Sequence, residues 1–267
     1  MSVVHGIDAL DPSFGRLFVV VGVFDGLHLG HEYLLHELGA AATAHDARPA
    51  VITFDHHPDE ILTGHAPPLL CDPDERLERL EAAGVAVTVV QTFDVALRET
   101  PFDGFVRRIA DRVDRVDLAG FLMTPDSAFG YQRAGTPETV AALGRELGYD
   151  VVVVPPFTLD GAPVSSSKIR AAIAAGDLAT ATRLLGRPYS VIGTGEPGTA
   201  AGTPLSFAMP VALPPAGTYA VGVAALGSPG GISDQAALAT IGVSGLLTVR
   251  GPWPLGGRGR VVFLTPP

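Results

Sequence analysis

The chain has 267 residues, with 18 lysines and arginines against 28 aspartates and glutamates, for a formal charge of −10. That length can bury a core and fits one large domain or two modest ones. The acidic balance, with no basic cluster to offset it, gives no support to a nucleic-acid groove, and a single cysteine, Cys71, excludes an internal disulfide framework and any cysteine-rich metal site. Charge is unevenly spread: residues 1–186 hold 14 basic and 26 acidic side chains, whereas 187–267 hold four arginines against Glu196 and Asp234. That last stretch also carries 15 Gly and 11 Pro, which argue against a membrane helix there. The opening MSVVHGIDALD lacks the basic flank and apolar stretch of a signal peptide, so a cytoplasmic location is the expectation.

In chain order, LFVVVG (17–22) is a continuous apolar run of strand type, followed by a helical pattern over 31–45. A second strand is expected at 49–54. A helix over 72–84 has Asp72 as its cap and Pro73 in its first turn. Strand 85–91, helix 102–113 and strand 116–121 follow. TPETVAALGRELG (136–148) is a well-marked helix, with Thr136 as cap, Pro137 at the first position and Gly148 closing it. The valine run in 149–157 predicts a strand buried on both faces. Residues 165–186 read as two short helices broken at Gly176–Asp177. Strands alternating with helices predict an α/β class: an open, Rossmann-like parallel sheet. After Arg187–Pro188 the short runs 218–226, 246–249 and 260–264 predict a small β-barrel-like domain. The expected domains are therefore 1–186 and 187–267.

The strongest local signal is GVFDGLHLGH, residues 22–31, which leaves a buried-strand pattern and opens a helix. Ligands of open parallel sheets bind beyond the carboxyl ends of strands, and helix N-termini receive anions. Gly26 and Gly30 permit close backbone approach, and His28 and His31 are spaced to face a phosphate group at the helix start. Singly, each histidine is also what a surface or capping position carries. Two histidines without cysteine or acidic partners at familiar spacing make a poor zinc site. Asp25 suits either the orientation of phosphates and their metal shell or simple turn formation. Near the last helix, Ser165 to Ser167 offer hydroxyls and free N–H groups while Lys168 and Arg170 add positive charge. Helix capping is the plain alternative for those serines.

These residues resemble the HxGH nucleotidylyltransferases, and residues 17–186 are similar to the FMN adenylyltransferase half of prokaryotic FAD synthetases, the bifunctional riboflavin kinase/FMN adenylyltransferases. Four blocks stand in that family's order: GVFDGLHLGH (22–31), TFDHHP (53–58), DSAFGYQRAG (126–135) and PVSSSKIR (163–170). The segment 176–189 resembles its helical junction into the kinase module. The resemblance implies that His28, His31, Lys168 and Arg170 serve catalysis on the ATP phosphates. It further implies binding roles for Gly22, Phe24, Asp25, Gly26, Gly30, His57, Ser166 and Ser167. On the flavin side it implies Asp126, Phe129, Gly130 and Arg133, with Phe129 stacking on the ring or packing in the core.

The implied reaction is FMN + ATP → FAD + pyrophosphate, in which alignment and charge stabilisation suffice because the attacking phosphate is already anionic. Mg²⁺ would bridge the phosphates with few protein ligands, so no residue is assigned as a metal ligand. The implied partners are the small molecules ATP and FMN, with neither nucleic acid nor membrane; the sequence carries no signal of oligomeric state. Departures from the family pattern bear on the acceptor more than on ATP. Ser127 stands at an aromatic position, Val23 at a usual Asn, Asp55 at a usual Glu and His56 at a usual Pro. Three other readings therefore stay open: another HxGH nucleotidylyltransferase, a bifunctional enzyme, and a non-catalytic flavin- or nucleotide-binding protein.

By the same resemblance, residues 187–267 correspond to a riboflavin kinase barrel. Its Pro-Thr-Ala-Asn segment is matched at Pro204, but Leu205 takes the Thr position and Phe207 the Asn position. The Glu base should fall near residue 244, in GVSGLLTVRGPW, which contains no acid; none follows Asp234 anywhere. Kinase chemistry needs a base and metal ligands, so a degenerate kinase-like domain without that activity is expected.

Overall fold

A computed structural model describes residues 1–110, 116–198, 200–226, 237–254 and 257–264. They pack as two units. The first comprises Met1–Phe24, Gly30–Pro67 and Pro73–Pro163; the second gathers Asp25–Leu29, Pro68–Asp72 and Val164–Pro267. The composition changes at 186/187, whereas the second unit already takes in the two helices that precede that point.

In the first unit, β1 (Ser2–His5), β2 (Arg16–Val21), α1 (Leu29–Ala44) and β3 (Arg48–Phe54) are followed by α2 (Asp59–Thr63), α3 (Pro73–Ala82) and β4 (Val87–Gln91). Then come α4 (Val95–Arg98), α5 (Phe102–Ala110), β5 (Asp117–Met123), α6 (Pro137–Leu147), β6 (Asp150–Val153) and the small hairpin β7 (Thr158–Leu159) and β8 (Ala162–Pro163). Six strands form one parallel sheet in the order β1-β4-β3-β2-β5-β6. The central strands are the continuous apolar runs: Leu17–Val20, Ala50–Phe54 and Leu118–Met123 are buried. They are covered on both faces, as parallel strands require. Gly120 is dictated by this packing, since a Cβ there would meet the Asp150 carbonyl at 2.5 Å and the Phe18 ring at 2.6 Å. On one side of β2 the order runs through β3 to β4 and β1, and on the other through β5 to β6. That reversal opens a crevice at the carboxyl ends of the strands.

The expected helix ends hold at α6: the Thr136 hydroxyl accepts from Thr139 N, and Gly148 closes the helix in the left-handed region (φ 81°). The helix expected over 102–113 is present to Ala110, and residues 111–113 lie outside those described. One expectation is corrected. The valine run at 150–153 is not buried on both faces: β6 is an edge strand and Val153 is 47% exposed. Valine favours the pleated backbone whether or not a second layer covers it.

The second unit contains α7 (Ser166–Ala174), α8 (Leu178–Leu185) and six strands: β9 (Ser190–Gly195), β10 (Thr203–Ser206), β11 (Gly217–Ala225), β12 (Ala237–Ile241), β13 (Leu247–Arg250) and β14 (Arg258–Phe263). These strands close an antiparallel barrel in the order β10-β13-β12-β11-β14-β9. Its interior holds alternate residues such as Val221, Val223, Ala239, Ile241, Val249 and Phe263, all buried. Tyr189 stacks on Phe263 at 5.8 Å and donates to the Ala212 carbonyl at 2.5 Å. Among the described residues no helix is long and apolar enough to cross a membrane.

Candidate active site

Residues 22–28 form the turn that joins β2 to α1. Two residues with full side chains in it, Phe24 (φ 53°) and Leu27 (φ 37°), hold left-handed backbone while buried at 1% and 2%. Such conformations cost on the order of 1–3 kcal/mol each and persist only where surroundings over-determine them. Gly26 (φ 81°) is needed twice over, because a Cβ there would also meet the Leu70 side chain at 2.9 Å.

In the first unit the Phe24 ring packs 5.1 Å from the His31 ring, in the first turn of α1, and covers Gly22, where a Cβ would meet it at 3.0 Å. The buried Arg76 guanidinium donates to the Val23 carbonyl at 3.1 Å and the Phe54 carbonyl at 2.8 Å, tying the ends of β2 and β3 together. Thr53 Oγ1 donates to the same Val23 carbonyl at 3.0 Å. Beside them, at the carboxyl ends of β2, β3 and β5, lies a cleft of about 710 Å³. Phe54, Phe93, Phe105, Phe121 and Phe129 give it an aromatic lining, and Gly22, His57, Asp126, Gly130 and Arg133 reach it too.

Phe129 packs in the core and also lines the cleft. It contacts the Phe105 ring at 5.5 Å and the Phe121 ring at 5.7 Å, and its partly buried face borders the cleft. Ser127, at the position where an aromatic is usual, is held in place: its Oγ accepts from Thr124 N at 2.9 Å and lies 2.8 Å from Thr124 Oγ1. Gly130, Gln132 and Arg133 all have φ between 53° and 74°, and Arg133 donates to the Asp126 carbonyl at 3.1 Å. The His57 Nδ1 accepts from Asp59 N at 3.2 Å.

In the second unit, Asp25 is 3% exposed, and its carboxylate is fully engaged. It accepts from Leu70 N at 2.9 Å, Cys71 N at 3.3 Å and the Arg170 guanidinium at 2.5 Å. Of the two roles open to Asp25, the geometry is that of a structural brace. Arg170 also donates to the Pro68 carbonyl at 2.8 Å, and Ser166 Oγ donates to the Asp25 carbonyl at 3.0 Å. The first turn of α7 is capped by Ser165, whose Oγ accepts from Lys168 N at 3.4 Å. Ser167 and Lys168, the only lysine of the chain, are exposed on that turn.

His28 is 4% exposed. Burial first, then the Arg187 and Arg170 cations, pull its imidazole from 6.5 down to about 4. At neutral pH it is therefore an uncharged hydrogen-bonding group. Arg187 was not among the expected site residues, yet its guanidinium donates to the Gly26 carbonyl at 2.5 Å and the Leu27 carbonyl at 2.9 Å. Arg76 escaped notice in the same way. Arginines that bind carbonyl oxygens follow no spacing rule, so neither left a signal in the sequence.

Among the described residues no three His, Cys, Asp or Glu side chains gather as a metal site. With the Asp25 carboxylate already taken up, the donor set does not suit a resident divalent cation.

The FAD synthetase family profile matches residues 12–168. A bifunctional riboflavin kinase/FMN adenylyltransferase of Haemophilus influenzae is 30% identical over 208 residues, which is 78% of this chain and 67% of that one. The protein of the same description from Pseudomonas fluorescens is 31% identical over 72% of this chain and 61% of its own length, and that of Escherichia coli is 30% identical over 85% and 74%. The chain thus spans roughly two thirds of the relatives it matches. A solved structure titled a macrolide-efflux protein from Streptococcus pneumoniae covers 98% of this chain and 90% of its own, with a TM-score of 0.74 at 22% identity, and shows the shared fold. With a profile match that spans more than half the chain and a 30% identical relative matched over 74% of its own length, this protein belongs to the FAD synthetase family.

Proposed function

We propose that this chain is an FMN adenylyltransferase that joins FMN and ATP to give FAD and pyrophosphate. The observation that carries the reading is the aromatic cleft at the carboxyl ends of β2, β3 and β5 in a chain of this family. Its volume lies in the range of sites for cofactor-sized molecules, and a tricyclic ring buries well against phenylalanine faces. An oxygen of the FMN phosphate attacks the α-phosphorus of ATP, and the bond to the pyrophosphate oxygen breaks. The new bond is the phosphoanhydride of FAD, and the electron pair leaves with pyrophosphate.

No protein nucleophile or base is required. The work of the protein is alignment and stabilisation of charge on the phosphoryl oxygens. His28 and His31 take phosphate oxygens as hydrogen-bond partners, and so do Ser166 and Ser167. Lys168 supplies a positive charge, and Arg170 a charge partly committed to Asp25. Gly22, Phe24, Asp25, Gly26 and Gly30 shape and brace the turn. Phe129 stacks on the flavin, while His57, Asp126, Gly130 and Arg133 line its cleft. Magnesium belongs to this reading only as the ion that accompanies the nucleotide phosphates as substrate.

We assign the division of labour to 1–186 as the transferase part and 187–267 as a kinase-like barrel without riboflavin kinase activity. Leu205 is buried in β10, and Phe207 packs 3.1 Å from where a Gly193 Cβ would stand. Neither side chain is able to bind a metal ion. Among the described residues of the barrel strands and loops, the one carboxylate is Glu196, hydrogen-bonded by Ser206 Oγ at 2.6 Å. Cytoplasmic function follows from the substrates.

Purified protein given FMN, Mg²⁺ and ATP should release FAD and pyrophosphate, and riboflavin with ATP should yield no FMN. Turnover of a different phosphorylated acceptor with none of FMN would favour the second reading, for which the polar Ser127–Thr124 pair in the cleft wall speaks.

A further inference from the structure

The turn that carries His28 does not hold itself. Phe24 and Leu27 are both in backbone regions that side chains disfavour, so contacts from elsewhere must maintain its shape. Within the second unit, besides those made to Asp25, such contacts come from the end of α8. Gly186 ends that helix in the left-handed region (φ 71°) and sits so close to Leu29 that a Cβ would meet its Cδ2 at 2.5 Å. The next residue, Arg187, spreads its guanidinium over successive carbonyls of the turn, Gly26 at 2.5 Å through Nη2 and Leu27 at 2.9 Å through Nη1. Nη1 also donates to Leu185 at 3.2 Å, which fixes the arginine to its own helix end. Two residues later, Tyr189 is anchored in the barrel by Phe263 and the Ala212 carbonyl.

We propose that Arg187 is a positioning residue of the adenylyl-transfer site: its two-pronged grip on the Gly26 and Leu27 carbonyls sets where the His28 imidazole points. The planar fork of a guanidinium reaches two carbonyl oxygens at once, which a single ammonium cannot do in the same geometry. The residue also sits near the imidazole as a cation. Arg187 and Arg170 both act on His28 as cations, the latter neutralised in part by Asp25. Arg187 thus adds to burial in disfavouring the charged ring, besides placing it. Small misplacements of a catalytic group cost heavily in rate, on the order of 100-fold for an ångström. The barrel's first segment therefore contributes to transfer chemistry without touching substrate.

The kinetic arm of the test rests on the adenylyltransferase reading; a second arm does not. Full-length wild type, Arg187→Lys and Arg187→Met are compared for kcat and KM with FMN and ATP. His28 is titrated in each by NMR of the ¹³C-labelled imidazole, assigned with His28→Gln. Both variants should lose at least about tenfold in kcat, with KM for FMN within twofold of wild type. The His28 midpoint should rise in Arg187→Met and stay low in Arg187→Lys. Wild-type kcat in Arg187→Lys would overturn the proposal, because the double grip would then be dispensable. So would an unmoved His28 midpoint in Arg187→Met, which would leave only a general packing role. Should Arg187→Met fail to fold, the kcat of Arg187→Lys decides. Should wild type prove inactive on FMN, that reading fails, and the His28 midpoints still decide this one.

Discussion

Arg170 and Asp25 meet at 2.5 Å, with 14% and 2% of their side chains exposed, and the same carboxylate holds two backbone N–H groups of Leu70 and Cys71. Breaking such a pair from the carboxylate side leaves a cation and two amides without their acceptor. Asp25→Ala should therefore cost about 3 kcal/mol of unfolding free energy, measured by urea denaturation. Asp25→Asn, which keeps an acceptor, should cost less. A loss below about 0.5 kcal/mol in Asp25→Ala would mean that the pair behaves as an exposed one.

The buried His28 makes stability depend on pH. Its folded value lies near 4 and its unfolded value near 6.5, so between them the unfolded chain binds more protons. The stabilisation is complete above pH 6.5 and is lost as the pH falls toward 4. By pH 5 the loss should amount to about 2 kcal/mol. His28→Gln should remove that part of the slope. Parallel urea curves at pH 7.5 and 5.0 for both proteins make the comparison.

Phe129 touches two rings of the core and the cleft, so its removal should act on both stability and acceptor binding. Phe129→Leu preserves most of the buried volume. It should raise KM for FMN about fivefold, in keeping with a loss of roughly 1 kcal/mol of aromatic contact, while KM for ATP stays within twofold. Equal changes for both substrates would place the flavin elsewhere.

Lys168 is the only lysine, which makes it addressable by chemistry. Methylation of side-chain amines should modify this one residue, and saturating ATP with Mg²⁺ should slow the reaction, as followed by intact mass. Lys168→Met should lower kcat/KM for ATP by about 10–100-fold, the range of one charge-assisted contact to phosphate. Modification at the same rate with and without nucleotide would remove Lys168 from the phosphate site.

Much of the parallel sheet was legible because burial on two faces demands unbroken apolar runs, such as Leu17–Val20 and Leu118–Met123, and because Thr136, Pro137 and Gly148 punctuate α6. Where one face is open the pattern weakens. β1, with Val3 38% exposed, gave no strand signal, and the valines of β6 gave too strong a one. In the barrel, β9, β10 and β12 went unread because glycine, proline and small residues dilute the alternation that marks register. At the site, His28, Ser166 and Arg170 stood out as motif residues. Arg76 and Arg187 did not, since guanidinium-to-carbonyl contacts join residues more than 50 and 150 positions apart in the chain.

The second unit is assembled from three separate stretches of chain, and two of them, Asp25–Leu29 and Pro68–Asp72, are only five residues long. No single cut releases such a unit whole. A gene fusion that supplied or removed everything after residue 186 would leave the short stretches behind with nothing to complete them. The seam visible in composition is consequently a poor place to split the protein for expression, and a poor place for recombination to exchange one half. Loss of the acids that a kinase needs would not make the barrel dispensable, because a stretch of the HxGH motif folds as part of the same body.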